Sequence, residues 1–249
     1  MSYFKDQAKL YAEFRPDYPR ELFEFLAAQV PQHALAWDCA TGSGQAALGL
    51  AAHFDRVIAT DASPDQLAHA RPHPKIEYRV AAADATGLPA ATVNAIAVTQ
   101  ALHWFNAEKF YQEVRRVAAP GAVLLVTVYN DVYLDDAALS AILWNFGHHI
   151  VGPYWPAERK LLDNGYRDIP FPFEEIPAPA LPLERQWNLH ELAGYVRSWS
   201  ATVRYIKALG ADPVRQLGTD LAAKGWSDPK EKRRVRWDFT IKAGRVKKV

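Results

Sequence analysis

Between residues 35 and 129, short runs of β-branched and small apolar residues alternate with stretches of helical periodicity. That alternation marks a parallel sheet covered by helices, because each parallel strand pair needs a crossover whose helix buries an apolar stripe. The patterning predicts strands over 35–38, 57–61, 76–81, 95–99 and 122–129, with helices over 45–53, 64–70 and 107–118. Ser63 stands where a helix N-cap is wanted, with Pro64 at the first helical position. Ahead of the first strand, Leu22, Phe23, Phe25 and Leu26 fall at helical spacing within 19–29. Pro120-Gly121 reads as a turn before the fifth strand.

Beyond residue 130 the pattern changes. Residues 135–150, 188–209 and 213–224 read as helices, and 170–182 as an extended passage carrying five prolines. Residues 234–241 alternate as a last strand, followed by Ala243-Gly244 and a basic tail. The chain of 249 residues suits one domain: segment 1–30, a core over 31–130, a helical insertion and sixth strand over 131–230, and a last strand with tail over 231–249. Lys and Arg number 29 against 28 for Asp and Glu, which excludes a supercharged nucleic-acid or membrane binder. One cysteine, Cys39, excludes an internal disulfide and a cysteine-built metal site. With no secretory profile at the start and no apolar run of membrane-spanning length, a cytoplasmic protein is expected.

The chemistry concentrates in Ala36-Trp37-Asp38-Cys39-Ala40-Thr41-Gly42-Ser43-Gly44-Gln45. A strand ends at an acid, a small-residue loop follows, and a helix begins. Gly42 and Gly44 permit a tight turn and close approach of a ligand to the main chain. Gly42-x-Gly44-x-x-Ala47 also fits a loose dinucleotide fingerprint, so a nicotinamide or flavin enzyme is an alternative, as is a plain strand-to-helix turn. Asp61 ends the second strand, where a carboxylate can accept ribose hydroxyls, and Asp84 follows the third, placed for an adenine amino group. Each acid alone reads as a cap or loop residue; three at successive strand ends beside the glycines point to an adenosyl ligand.

These segments resemble the class I S-adenosylmethionine-dependent methyltransferases, in the branch similar to trans-aconitate methyltransferases. Asp38 through Gly44 resembles the family's cofactor loop, Thr60-Asp61-Ala62-Ser63 its ribose turn, and Ala83-Asp84-Ala85 its adenine turn. Thr99-Gln100-Ala101-Leu102-His103-Trp104-Phe105 resembles its fourth-strand motif, and the stretch from Tyr11 to Pro19 its cofactor-covering segment. Tyr195-Val196-Arg197-Ser198-Trp199-Ser200 resembles a helix of its cap. The resemblance implies a doubly wound, mostly parallel, seven-stranded Rossmann-like α/β sheet with a helical cap inserted in the C-terminal half. It implies S-adenosyl-L-methionine as cofactor, with its methionine end held by Gly42, Gln100, Tyr11 and Arg15. Ala40 departs from the pattern, standing where the family loop has its first glycine.

Methyl transfer from a sulfonium is an in-line displacement, so the protein's work is orientation and water exclusion. His103 is expected to act as base or as substrate hydrogen-bond donor, with Trp104 and Tyr18 beside the acceptor. Tyr129, Trp144, Trp155, Tyr195 and Trp199 complete a pool of aromatics divided between pocket and core. No metal is expected, because the adjacent His148 and His149 diverge on a helix. A small-molecule acceptor, a carboxylate or hydroxyl, is the favoured reading. The basic stretch Lys230-Glu231-Lys232-Arg233-Arg234-Val235-Arg236 keeps an RNA or protein acceptor as an alternative, beside a non-catalytic cofactor-binding protein.

Overall fold

The computed structural model describes residues 13–247. They pack as two compact units, one formed by 17–129, 161–181 and 239–247, the other by 13–16, 130–160 and 182–238.

The first unit is built on a sheet. The strands in chain order are β1 (Leu35–Cys39), β2 (Arg56–Asp61), β3 (Ile76–Val80), β4 (Val93–Thr99), β5 (Ala118–Leu134), β6 (Glu174–Ile176), β7 (Leu183–Trp187) and β8 (Arg233–Arg245); β7, the end of β5 and the start of β8 belong to the second unit. The spatial order is β3-β2-β1-β4-β5-β8-β6, with β7 also on β8. Among the described residues there are thus eight strands, where seven were expected. Pairs among β1 to β5 are parallel, whereas β6 and β7 both run antiparallel to β8. Order reverses between β1 and β4, and in open α/β sheets the crevice at such a reversal takes ligands.

Strand alternation sorts side chains onto two faces. Trp37, Ile58, Ile96, Val98, Leu124 and Val126 face the helix α4 (Ala107–Val117), through Phe110, Val114 and Val117. Ala36, Val57, Ala59, Ala95, Ala97 and Val123 face α1 (Arg20–Ala28) and α2 (Gln45–Ala51). The small residues on this face let those helices approach closely. Gly49 in α2 continues the theme, since a Cβ there would run into the Phe23 ring of α1. The short helix α3 (Pro64–Leu67) starts as expected, with Ser63 Oγ accepting from Gln66 N at 3.4 Å.

Two breakers lie inside strands. Pro120-Gly121 was read as a turn, yet β5 runs through it: Val93 pairs Ala118 and Ala95 pairs Val123, so the extra residues bulge out, with Gly121 at φ +81°. Ala243-Gly244 was read as following the last strand, but both pair with β6 at the end of β8. Bulge and pairing partner are set by distant chain, which local patterning does not report.

In the second unit, α5 (Ala137–Asn145) is capped by Asp136 and continues as a π turn over Phe146–Ile150. The helix α6 (Arg159–Asp163) crosses from this unit into the first. Then come α7 (Leu189–Arg197), opened by an Asn188/Glu191 capping box, α8 (Ser200–Leu209) and α9 (Val214–Ala223). Residues 161–181, inside the stretch read as insertion, pack with the sheet unit. Among the described residues no helix is long and apolar enough to cross a membrane.

Candidate functional site

Parallel register aligns the strand tips. Cys39 sits opposite Thr60 and Val98, Asp61 opposite Val80, and Thr99 opposite Thr127, so the loops leaving β1 to β4 emerge on one edge, past which β5 continues.

The loop after β1 is wound through left-handed backbone at Ala40 (φ +55°), Gly42 (+56°) and Gly44 (+87°). Gly44 is required twice over, since a Cβ there would also collide with the Tyr78 hydroxyl. Ala40 takes a conformation that costs an L-residue about 1–2 kcal/mol. The loop is held from inside: Thr41 N donates to Thr60 O at 2.9 Å, and Thr41 Oγ1 to Asp38 Oδ2 at 2.5 Å. Asp38 is fully buried, and burial lifts its pKa to about 7, helped by the nearby Asp61 charge and opposed by the Thr41 hydroxyl. Its Oδ1 is a buried acceptor with no hydrogen-bond partner among the described residues.

Asp61 is a clamp. Oδ2 accepts from Gly42 N at 2.9 Å and Oδ1 from Ser63 N at 2.8 Å. Each oxygen keeps a second acceptor direction after those bonds. Ala62, Asp84 and Ala85 are exposed at the same edge, the latter two lining an open cleft of about 450 Å³ with Lys109, Gln112, Glu113 and Arg116.

At the β4 tip, Gln100 has φ +58°, and its carboxamide pairs like one more strand residue: Nε2 donates to Tyr129 O, and Tyr129 N donates to Oε1, both at 2.8 Å. The Gln100 amide is therefore a structural tie between β4 and β5, and its expected contact with a methionine end runs through a carboxamide engaged at both atoms. Tyr129 is buried and lies 6.5 Å, centroid to centroid, from the half-buried Tyr18, which also packs on Phe23 and Phe239.

His103 and Trp104 sit on a 3-10 turn, Leu102–Trp104, just past β4. His103 is buried with its ring centroid 4.5 Å from that of Trp104, whereas Trp104 is 55% exposed. His103 Nδ1 lies 2.7 Å from the Tyr166 hydroxyl. Sequence reading missed Tyr166, because a tyrosine in a passage without periodicity announces no partner.

Other expected residues belong to the second unit. Arg15 donates to Ser198 O at 3.4 Å and lies 5.3 Å over the Tyr195 ring. Tyr195 and Trp199 are core there, packed edge-on at 5.6 Å, with Trp237 Nε1 donating to Tyr195 Oη. Trp155 packs on Trp199 within the same cluster. Trp144 is exposed and stacks on His148, whose Nε2 is 3.0 Å from Asp131 Oδ2. Among the described residues no group of three His, Cys, Asp or Glu could hold a metal ion. Tyr11 lies outside the described residues.

A family described as a methyltransferase domain matches residues 37–126, the stretch that carries the loop, both following acids and the β4 tip. A Dictyostelium discoideum protein bearing a methyltransferase name is 32% identical over 217 residues, covering 86% of this chain and 82% of its own length. A solved structure described as a type II methyltransferase from Anaeromyxobacter dehalogenans is 42% identical, covers 94% of this chain and 98% of its own, and superposes with a TM-score of 0.85. The chain belongs to the S-adenosylmethionine-dependent methyltransferases. A structure from Anabaena variabilis, at 17% identity and TM-score 0.57, shares the fold over 91% of the chain.

Methyltransferase membership sets aside the nicotinamide reading that two glycines alone left open. The residues also suit the cofactor the family implies. The strand-tip edge offers a tightly wound glycine loop, a buried Asp38 oxygen without a hydrogen-bond partner among the described residues, and a clamped Asp61 carboxylate with spare acceptor directions, a set of groups that suits an adenosyl cation.

Proposed function

We propose that this methyltransferase transfers the methyl group of S-adenosylmethionine to a small molecule carrying a carboxylate or hydroxyl. The alignment of the Gly42–Gly44 loop, Asp61, Asp84 and His103 along one sheet edge carries the reading. S-adenosylmethionine supplies an electrophilic methyl group on a sulfonium. Asp61 would take the ribose hydroxyls on its spare lone pairs, Asp84 with the Ala85 backbone the adenine, and the Gly42 and Gly44 backbone the methionine end. Because the leaving group is already good, the acceptor needs positioning more than activation, and orientation supplies roughly 7–11 kcal/mol of such barriers. His103 and the exposed Trp104 ring are the groups to position it.

The basic stretch supports a small acceptor over RNA, because its cations are largely spent. Arg234 pairs Asp135 at 2.9 Å, Arg233 pairs Glu231 at 2.9 Å, and Lys232 approaches Glu191 at 3.8 Å. A screen of small carboxylic acids and phenols with labelled methyl donor, read by mass spectrometry, tests the proposal. Methylated product from at least one class is expected. Binding of S-adenosylhomocysteine with methylation of tRNA instead would overturn it.

A further inference from the structure

Tyr166 holds its ring in the sheet unit's core, 1% exposed, with its hydroxyl on His103 Nδ1 and the two ring planes tilted by 32°. Its backbone is left-handed, φ +60°, directly after Gly165 at +64°. Glycine adopts that conformation freely, and here it must be glycine, since a Cβ would meet Thr240 Oγ1 at 2.8 Å. A tyrosine adopts it only under constraint. The constraint is visible: Tyr166 N donates to Leu161 O at 3.0 Å, and Lys242 Nζ donates to Tyr166 O at 2.8 Å. A strained bulky residue, pinned at N–H and carbonyl, points to a requirement on where its side chain ends. That end is His103.

We propose that Tyr166 is a positioning residue whose phenol donates to His103 Nδ1, so that the neutral imidazole carries its proton on Nε2 and serves the methyl acceptor as a hydrogen-bond donor, not as a base. The phenol O–H is a strong donor and an unprotonated imidazole nitrogen a strong acceptor, and at 2.7 Å the two atoms stand at the distance of an O–H···N bond. Of the two roles expected for His103, base or hydrogen-bond donor, this arrangement leaves the donor. An Nε2–H is present in both the neutral and the cationic ring, so a donor keeps its function as pH falls through the imidazole range, whereas a base loses it. No proton passes from the acceptor to His103 in this arrangement; the acceptor arrives ionised or loses its proton to solvent.

The effect on turnover rests on the methyltransferase reading above; the tautomer does not. The full chain labelled with 15N-histidine is compared by two-bond nitrogen–proton correlation with His103→Gln, which identifies the His103 signals, and with Tyr166→Phe. The parent is expected to show Nδ1 without a proton and Nε2 with one, and Tyr166→Phe to move His103 toward a mixture of tautomers. A proton on Nδ1 in the parent overturns the proposal, and so does a Tyr166→Phe spectrum unchanged at His103. If Tyr166→Phe fails to fold, the parent spectrum still decides. With an acceptor in hand, Tyr166→Phe should lower kcat about tenfold while S-adenosylhomocysteine affinity stays within about twofold. A parent kcat that collapses between pH 8 and pH 6 with an acceptor ionised throughout that range would contradict the donor role. Absence of any methyl transfer with the expected tautomer in place would instead count against the function.

Discussion

Gly42 donates its backbone N–H to the Asp61 carboxylate at 2.9 Å, tying the loop after β1 to the tip of β2. The same carboxylate holds Ser63 N, so one side chain shapes both turns proposed to receive the adenosyl group. Asp61→Ala removes the clamp and the ribose acceptor together. It should weaken S-adenosylhomocysteine at least tenfold in calorimetry, about 1.4 kcal/mol. Asp61→Asn, with a single acceptor oxygen, should fall between. Unchanged affinity in Asp61→Ala would show that the ribose is held elsewhere.

Ala40 gives a second test, because its terms oppose one another. Ala40→Gly relieves about 1–2 kcal/mol of left-handed strain, but loses a partly buried methyl and adds about 0.4–1 kcal/mol of unfolded-chain entropy. Denaturant unfolding should therefore place it within about 1 kcal/mol of the parent. Ala40→Val, β-branched in the same conformation, should destabilise by more than about 2 kcal/mol. A Val variant as stable as the parent would mean the loop relaxes out of this conformation.

Two buried acids give stability opposite slopes with pH. Asp38 ionises at about 7 in the folded chain against an ordinary 3.8, so the unfolded chain releases that proton first and stability is lost as pH rises from 3.8 to 7. Asp38→Asn should gain on the parent across that window, by at most about 4 kcal/mol, and run parallel to it above pH 7.

Glu113 is the converse. Arg116, bonded to it at 2.6 and 2.7 Å, and the Thr86 N–H and hydroxyl hold its pKa at about 2, against burial that opposes them. Its contribution is full above pH 4.5 and is lost as pH falls toward 2. Glu113→Gln should thus be less stable than the parent at pH 7, with the gap closing below pH 4.5. A gap independent of pH would assign the loss to packing.

The central strands, the glycine loop and the acids at the strand tips were legible because each depends on local signals: β-branched runs, residues that tolerate left-handed backbone, and acids just past a strand. What was illegible depends on distant partners. Ala243-Gly244 is strand because Glu174–Ile176 lies beside it, and Pro120-Gly121 bulges because β4 fixes the register on either side. Gln100 looked like a ligand contact and proves to bind Tyr129 at both ends of its carboxamide. Tyr195 and Trp199 belonged to a pool of aromatics that sequence left divided between pocket and core, and both are buried.

His103→Ala separates chemistry from cofactor binding. It should reduce turnover at least tenfold, about 1.4 kcal/mol of barrier, while S-adenosylhomocysteine affinity changes little. Equal turnover in variant and parent across pH 6–8 would remove His103 from the reaction.

The most direct measurement is a titration of the 15N-labelled full chain with S-adenosylhomocysteine, followed through its backbone amide signals. The amides of Gly42, Gly44, Ala62 and Ala85 should shift together with a single affinity. Shifts confined to residues away from the strand-tip loops, or no shift at saturating ligand, would contradict a cofactor site on that edge.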